Sequence, residues 1–495
     1  MNDESSRAGR HRRRAAWSCG LAAVVLSCWA TAAQAHAPHA CPPDLPETPA
    51  LAEHLEQRSI DAGEVGFDQL FAHGRALFVA KFNLCDGQGR PAATGIGEKR
   101  APDEPAFIRT SGPDANACSG CHIEPRVGGA GEFVVNVFVL SQVRDPVITS
   151  VRHEFSNERN TLGMFGAGAI EMLGREMTAD LRRQADGLAD GDWVLTSKGV
   201  DFPVTVSHGE VVASEGVDPD LVIKPFHQAG VKRSLRQFTV DAMIQHPGML
   251  AEEGFGLNPD KGREADFDED GVERELTVGD ITAISVFQAA LGVPGRRLPL
   301  DPEAAISVAR GERRFADIGC TGCHVPAMRL EDRRFVEPYA LNPPGFFGDP
   351  ERSVAFDMTR EGEGPYLEPR PEGGAIVRAY TDLKRHNLCD PPGMAGAIRH
   401  FCNEYLDQGR PDQGELPGSE FFITRKLWDA GNSAPYGHRG DLITLTEAIR
   451  AHGGEGRPSR DAFVALPLEE RRAIIAFLKS LQVLPAGSPR LVVEP

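Results

Sequence analysis

The chain has few basic residues for its size. It carries 53 lysines and arginines against 71 aspartates and glutamates, which gives a formal net charge of −18 at pH 7. Nucleic-acid binding depends on basic side chains that neutralise phosphates, so this balance argues against a nucleic-acid-binding protein. An acidic surface is compatible with a basic redox partner, but acidic surfaces are too common to identify one.

The chain also lacks a long uninterrupted apolar run, and only its N-terminus comes near one. A membrane-spanning helix needs about 20 consecutive apolar residues, so no membrane span is predicted. Residues 7–14 are basic, residues 15–30 are mostly apolar, and Ala33-Gln34-Ala35 is a small-residue cleavage site. This order is typical of a signal peptide. We expect residues 1–35 to be removed and the mature protein to be periplasmic, exported by the general secretory route.

Cysteine is sparse, and four of the 10 cysteines lie in two copies of one motif. The copies are Cys118-Ser119-Gly120-Cys121-His122 and Cys320-Thr321-Gly322-Cys323-His324. In C-x-x-C-H, two thiols form thioethers to the haem vinyl groups and the histidine supplies an axial iron ligand. A single copy could arise by chance or as half of a zinc site. Two copies with an export signal predict two covalently bound haem c groups.

The other cysteines suggest disulfides. Cys19 and Cys28 lie in the signal peptide, which leaves four cysteines outside the haem motifs. An oxidising compartment favours two pairings, Cys389 with Cys402 and Cys41 with Cys85. The alternative is that these four are free, buried thiols.

The predicted domains are an N-terminal arm at 36–60, a first haem domain at 61–292 and a second at 293–495. Gly74 to Phe78 and Gly311 to Phe315 look like two copies of the N-terminal helix of a cytochrome c unit. A Pro294-Gly295 turn signal marks the boundary between the haem domains. The predicted fold class is mainly α, with two cytochrome c-type domains, small β insertions and long loops.

Local patterns predict several elements. Apolar spacing near the helical period predicts helices over 67–78, 164–186, 234–250, 277–291 and 467–484. A β-branched and aromatic run predicts a strand over 133–140, and alternating residues predict a small β insertion over 187–222. Residues 325–380 are rich in proline and glycine and are predicted to be loop.

Several segments resemble bacterial dihaem cytochrome c peroxidases. They are Arg159-Asn160-Thr161, Phe226-His227-Gln228-Ala229-Gly230-Val231, Ser234-Leu235-Arg236, His246-Pro247-Gly248-Met249, Ala434-Pro435-Tyr436-Gly437-His438-Arg439-Gly440 and Leu445-Thr446-Glu447-Ala448-Ile449. Others resemble more closely the sister group of dihaem oxidoreductases, which includes peroxidase-type and thiol-oxidoreductase-like proteins. They are Met164-Phe165-Gly166-Ala167-Gly168-Ala169-Ile170-Glu171, Glu275-Leu276-Thr277-Val278-Gly279-Asp280-Ile281-Thr282 and Thr381-Asp382-Leu383-Lys384-Arg385-His386.

The chain departs from the peroxidase pattern at two positions. Gly248 stands where that family has an acidic residue for proton transfer, and Glu252 and Glu253 are nearby substitutes. His227 stands where the family has a tryptophan between its haems. Peroxide reduction is therefore implied only by the resemblance, with His246 and Glu252 as catalytic candidates.

Each haem iron has a second axial position, and the remaining histidines are the candidates to fill it. His452 lies where the related peroxidases carry the methionine ligand of their C-terminal haem, so a bis-histidine second haem is predicted. His246 is the candidate near the first haem, as ligand or as acid–base group. Met249 is its rival. His153, His386 and His438 are further candidates, each with a structural role as the alternative.

One acidic segment suggests calcium. Asp266, Asp268 and Asp270 alternate before a glycine, as in the start of a calcium-binding loop. The twelfth position is Thr277 rather than glutamate, and Glu273 or Glu275 would have to replace it. The resemblance also implies calcium, because the related peroxidases carry it between their haem domains. The alternative is a solvated acidic turn.

Three functions follow from two haems. The first is a periplasmic peroxidase-like oxidoreductase in which one haem relays electrons and the other faces a small substrate such as peroxide. Its electron donor would be a redox partner protein, either a small cytochrome or a cupredoxin. The second is an electron-transfer cytochrome with both irons six-coordinate, and the third is a haem-stabilised structural or sensing protein. The large size favours an enzyme, since a carrier needs fewer residues per haem.

Overall fold

The helices lie in separate stretches of the chain. The structure, a computed structural model, describes residues 41, 46–88, 115–132, 134–136, 158–254, 272–402 and 420–493. Within these residues the α-helices are α1 (Gln57–Asp61), α2 (Phe67–Val79), α3 (Ala167–Ala185), α4 (Leu235–Gln245), α5 (Val278–Ala289), α6 (Pro302–Asp317), α7 (Leu445–Arg450), α8 (Arg457–Ala465) and α9 (Leu468–Ser480). The five helices predicted from apolar spacing correspond to α2, α3, α4, α5 and α9.

Short strands fill much of the chain between the helices. They are β1 (Val134–Asn136), β2 (Glu158–Asn160), β3 (Gly191–Ser197), β4 (Val200–Ser207), β5 (Glu210–Ser214), β6 (Gly295–Arg297), β7 (Met328–Leu330), β8 (Arg334–Glu337), β9 (Val354–Asp357), β10 (Glu368–Pro369), β11 (Ala375–Val377), β12 (Arg385–Asn387), β13 (Phe421–Ile423), β14 (Leu481–Gln482) and β15 (Val492–Val493). They form small sheets in the orders β1-β2, β3-β4-β5, β10-β11-β7, β8-β9, β12-β13 and β14-β6-β15.

The prediction of a mainly α fold is wrong, since the described residues mix helices with many small sheets. That the chain forms two cytochrome c-type domains stays a prediction. The error is clearest at 325–380, which was predicted to be loop and contains β7 to β11. These strands have two to four residues. Such runs are too short to show a clear alternation of apolar and polar residues, and their pairing depends on distant partners.

The predicted β insertion is confirmed. β3, β4 and β5 form an antiparallel meander that begins with the pair Gly191 and Val206. Along β4, every second side chain is buried. The alternation of apolar and polar residues over this segment was long enough to be recognised in the sequence.

Two helix pairs are built alike, and each contains one of the two repeated segments. α2 packs on α5, where a Cβ atom at Gly74 would lie 2.0 Å from the Ala283 carbonyl oxygen. α6 packs on α9, where a Cβ atom at Gly311 would lie 1.9 Å from the Ala473 carbonyl oxygen. Only glycine allows the two backbones to approach this closely.

The N-terminal arm is held by a buried carboxylate that the sequence did not identify. Asp280 lies at the start of α5 and is fully buried. Its oxygens lie 2.7 Å from His54 Nδ1 and 2.7 Å from His73 Nε2, and they accept a hydrogen bond from the Leu55 amide at 2.9 Å. Burial raises the pKa of Asp280, but these hydrogen bonds outweigh it, so the pKa lies below the usual value. The carboxylate thereby ties residues 54–55 and α2 to α5.

Both predicted disulfides are confirmed. Cys41 is bonded to Cys85, and Cys389 is bonded to Cys402.

The largest hydrophobic cluster contains side chains from both sides of residue 293, among them Phe287 and Phe335. The predicted domain boundaries themselves stay predictions.

Gly311→Ala should lower the free energy of unfolding, because the new methyl group would collide with the Ala473 backbone. Overpacking of this kind costs about 1–3 kcal/mol. Urea unfolding followed by circular dichroism measures the change. Gly348→Ala is the matched control, since its methyl group would meet its nearest neighbour at 3.5 Å. Equal stabilities of the two variants would contradict the close helix contact.

Asp280→Asn should destabilise the protein by about 2 kcal/mol, because it removes the charge of a buried carboxylate that is hydrogen-bonded to two partly exposed histidines, His54 and His73. The depressed pKa of Asp280 gives stability that is present above about pH 4 and lost as the pH falls further. His54 counters burial through its bond to Asp280 and has a raised pKa, so its contribution is present below about pH 6.5 and lost as the pH rises.

The difference between wild type and Asp280→Asn should therefore be largest between about pH 4 and 6.5 and smaller at pH 8.5. Thermal unfolding over this range measures it. Asp317→Asn is the control, since Asp317 forms an exposed ion pair with Arg314 and its loss should cost less than about 1 kcal/mol. A stability difference between wild type and Asp280→Asn that grows as the pH rises would contradict the proposed contribution of the Asp280–histidine pairs.

Candidate functional site

Each C-x-x-C-H motif forms a short 3₁₀ turn. The turns are Cys118–Gly120 and Cys320–Gly322. The amide of His122 donates to the Cys118 carbonyl at 3.0 Å, and that of His324 donates to the Cys320 carbonyl at 2.9 Å. The two disulfides use none of the motif cysteines, so their sulfur atoms remain available for thioether bonds.

The motif histidines are held in the neutral form that a metal ligand requires. His122 Nδ1 lies 3.3 Å from the Gly129 carbonyl oxygen, and His324 Nδ1 lies 3.0 Å from the Tyr380 carbonyl oxygen. A proton on Nδ1 donates to the carbonyl and leaves Nε2 to bind iron. Burial lowers the pKa of both imidazoles to about 4.

An aromatic pair supports each motif histidine in the same way. The Phe78 ring lies 6.0 Å from the His122 ring and 5.3 Å from Phe287 on α5. The Phe315 ring lies 6.1 Å from the His324 ring and 5.5 Å from Phe477 on α9. Each phenylalanine follows its helix-crossing glycine by one turn, so the helix contact positions the ring that packs on the histidine.

Both motifs open into one cavity of about 1030 Å³. Most small-molecule pockets have about 300–1,000 Å³. The cavity is lined mainly by apolar side chains from both halves of the chain. Its histidines are His122, His227, His246, His324, His386, His438 and His452.

The two candidate axial ligands lie at the ends of corresponding segments. In the first segment, Phe226 and Lys232 form an isolated antiparallel β-bridge. Ser234 then caps the helix α4, which ends just before His246. In the second, Tyr436 bridges Leu442, and Thr444 caps the helix α7 that ends two residues before His452. The second helix is 6 residues long against 11 in the first.

The sequence also shows that the two segments described above, which end near His246 and His452, are alike. Both segments begin with proline and an aromatic residue, with glycine five residues after the proline and a capping Ser-Leu or Thr-Leu after nine. Aligning them with each other relates α4 to α7. His246 lies 21 residues after its proline and His452 lies 17 residues after its own, so the two histidines correspond only with a gap for the shorter α7.

Each candidate ligand lies near one motif histidine. A positive charge on His246 would lower the pKa of His122, and one on His452 would lower that of His324. His452 Nδ1 lies 2.8 Å from the Ala448 carbonyl oxygen, which leaves its Nε2 for a metal. Burial lowers the pKa of His452, so it too is neutral.

His438 and Gln228 form a buried polar pair in the cavity wall. Gln228 Oε1 contacts His438 Nδ1, and burial holds the pKa of His438 well below its ordinary value. Asn160 joins this pair, since its backbone amide donates to the His438 carbonyl at 2.9 Å. The segments carrying these residues were recognised by resemblance, but their mutual contact was not predicted.

His386 belongs to a charged cluster beside the second motif. Its Nδ1 lies 2.7 Å from Glu455 and its Nε2 lies 2.9 Å from Asp382. Burial lowers its pKa, but the bonds to Asp382, Cys323 and Glu455 outweigh burial and raise the pKa to about 11. The imidazole is therefore a cation, and both of its nitrogens are engaged.

This cluster is also the one group of described residues close enough to hold a metal ion. Ligand atoms of Cys323, Asp382 and His386 lie within 4.8 Å of one another. A zinc ion would need an unengaged histidine nitrogen and the Cys323 thiolate. The two bonds to His386 leave neither of its nitrogens for a metal, and Cys323 belongs to a C-x-x-C-H motif, so a zinc site is disfavoured here.

The remaining predicted site residues lie elsewhere. Glu252 is outside the cavity lining and pairs with Arg274 at 2.5 Å, and its other oxygen accepts from the Val278 amide at the start of α5. Glu253 is buried in an ion pair with Arg236. Met249 is buried in the main hydrophobic cluster. These contacts are structural, and a catalytic role for Glu252 stays a prediction.

Some predicted residues lie outside the described part of the chain. They include His153 and the proposed calcium ligands Asp266, Asp268 and Asp270. Across the described ranges, no helix is both long and apolar enough to cross a lipid bilayer.

The residues present fit two haem groups. The cavity is large and mainly apolar, and it has a pair of thiols and a neutral imidazole at each of two places. Burial raises the pKa of Cys118 and of Cys320 to about 12, so these sulfurs are thiols before attachment. His246 and His452 add one further nitrogen ligand near each motif histidine.

Two solved structures resemble this chain at low similarity. The hydrazine synthase of Kuenenia stuttgartiensis, under 20 bar of xenon, is 13% identical with a TM-score of 0.34, over 88% of this chain and 95% of that one. A MauG-like protein associated with microbial copper homeostasis is 18% identical with a TM-score of 0.26, over 63% of this chain and 88% of that one. Both TM-scores are low, so neither structure shows that this chain has the same fold.

A family model matches the C-terminal part of the chain. Residues 393–481 match the family described as "Di-haem oxidoreductase, putative peroxidase". No curated protein sequence matches the chain. The matched segment contains His438 and His452 but neither C-x-x-C-H motif. The match supports haem as the cofactor and redox chemistry as the function, and the resemblance to the dihaem oxidoreductases is thereby confirmed over residues 393–481.

Proposed function

We propose that this chain is a periplasmic dihaem c-type oxidoreductase of peroxidase-like activity. One haem relays electrons from a redox partner protein and the other faces a small substrate. The observation that carries the proposal is that both C-x-x-C-H motifs open into a single cavity together with His246 and His452. Haems attached at the two motifs would therefore share one cavity, and electrons would pass between them.

Residues of the chain have defined tasks in this proposal. The motif thiols hold each haem covalently, and the bonds from His122 and His324 to backbone carbonyls fix the ring orientation and strengthen the ligand. When bound, haem supplies one-electron chemistry and a site for a peroxide. Reduction of hydrogen peroxide to two waters consumes two electrons and two protons.

His246 is the proton-transfer group in this proposal. It lies in the cavity wall near His122 and directly follows the last residue of α4. The helix therefore fixes the position of His246 beside the first motif. Because Gly248 leaves no carboxylate at the family position, an imidazole takes the acid–base task. His452 would supply a nitrogen ligand to the other haem.

One observation favours an electron-transfer cytochrome as the second candidate. His246 and His452 end corresponding segments and lie near corresponding motif histidines. If both bind iron, both haems are six-coordinate, and neither offers a substrate site.

Absorption and electron paramagnetic resonance spectra separate the two candidates. The protein, produced with a haem c maturation system, should contain two haems per chain. In the half-reduced state we expect one haem whose spectrum changes on adding peroxide or cyanide. Two low-spin haems that are inert to both ligands in every redox state would leave the electron-transfer function instead.

Histidine variants test the assigned roles. His452→Ala should convert one low-spin haem to high spin and leave the other unchanged. His246→Ala should slow the reaction with peroxide by about 10²–10⁴-fold, the usual contribution of a general acid–base group. His208→Ala is the control, because His208 is exposed at the turn between β4 and β5. Unchanged spectra and rates in both cavity variants would contradict these assignments.

A further inference from the structure

Two consecutive basic residues lie in the cavity between the haem motifs. Arg425 and Lys426 follow β13 and both line the cavity. The backbone of Arg425 contacts the ring of His324. Lys426 Nζ donates to the Gly163 carbonyl at 2.9 Å, and its charge lowers the pKa of His122. The dipeptide therefore contacts the surroundings of both motif histidines.

The pair carries more positive charge than its protein partners neutralise. Asp429 is the carboxylate beside both residues, 2.9 Å from Lys426 Nζ and 3.8 Å from Arg425 Nη2. The Lys426 side chain is 10% exposed, that of Asp429 is 3% exposed and that of Arg425 is 35% exposed. Two cations and one anion leave one positive charge in a partly buried site, and a further anion would stabilise it.

Arg425 also has an unused donor. Its Nη2 is buried and has no hydrogen-bond partner within the described residues. A guanidinium binds carboxylates through paired N–H groups, which gives short and strong hydrogen bonds. The site thus has both the charge and the donor geometry for one more carboxylate.

Lys232, another cation of the cavity wall, is placed differently. It pairs with Asp241 at 2.5 Å, whereas Arg425 and Lys426 share the one carboxylate of Asp429. A bound haem brings two propionate carboxylates into the same cavity.

We propose that Arg425 and Lys426 form a carboxylate-binding pair that holds a haem propionate between the two haem sites. This inference rests on the proposed function, because it requires haem in the cavity. The pair would partly neutralise the propionate and so favour the reduced haem, whose iron carries one positive charge less.

Midpoint potentials of both haems test the proposal. In Arg425→Gln and in Lys426→Gln, the equilibrium constant for reduction of at least one haem should fall about tenfold, or about 59 mV for a one-electron couple. Asp429→Asn removes the competing anion and should shift the potential upward. Arg425→Lys and Lys426→Arg keep the charge and should stay within about twofold of wild type.

Arg472→Gln is the matched control for loss of one positive charge, since Arg472 is exposed on α9 and pairs with Glu469. Its potentials should equal those of wild type. Haem content and unfolding are measured first for each variant. If a glutamine variant does not fold, the midpoint potentials of Asp429→Asn still test the proposal. An upward shift is expected, and a downward shift or no shift would contradict it.

Several outcomes would overturn the proposal. Two attached haems with unchanged potentials in all three charge-changing variants would overturn this inference alone. A wild-type chain without haem would overturn the proposed function and the inference with it. If the variants shift the potentials only when acetate is added, the pair binds free carboxylates and holds no propionate.

Discussion

The close approach of two helix backbones at a glycine is the contact on which each haem motif depends. At Gly74 and at Gly311 the partner helix lies where any side chain would stand. One turn later, Phe78 or Phe315 is thereby pressed against a phenylalanine of the partner helix and against the motif histidine. The position of the imidazole is thus set by a backbone contact several residues away.

The cavity wall combines neutral histidines with concentrated charge. Burial lowers the pKa values of His122, His324 and His452 and keeps these imidazoles in the neutral form that a metal ligand would need. A short distance away, His386 is kept cationic by two carboxylates. Histidine therefore serves opposite purposes in one wall of the protein, and hydrogen-bond partners decide which. A carbonyl acceptor leaves the imidazole neutral, whereas a carboxylate acceptor stabilises its charge.

The parts of this structure that could be predicted from sequence are local. C-x-x-C-H, the longer amphipathic helices, the β3-β4-β5 meander and the disulfides are all encoded within short stretches or by elimination among few cysteines. The sheets of two- to four-residue strands could not be predicted, because distant pairing rather than local pattern forms them. The partners of Asp280 and the sharing of Asp429 by two cations depend on the tertiary fold, so no spacing rule could identify them.

The pairing of α6 with α9 has a consequence for the order of folding. The ribosome makes residues 320–324 well before residues 468–480, and Phe315 packs on Phe477 in that later segment. The surroundings of the second motif are therefore incomplete until α9 has been made. During that interval the sulfur atoms of Cys320 and Cys323 lie in a part of the chain that has not yet finished folding. Docking of α9 then completes the packing around His324.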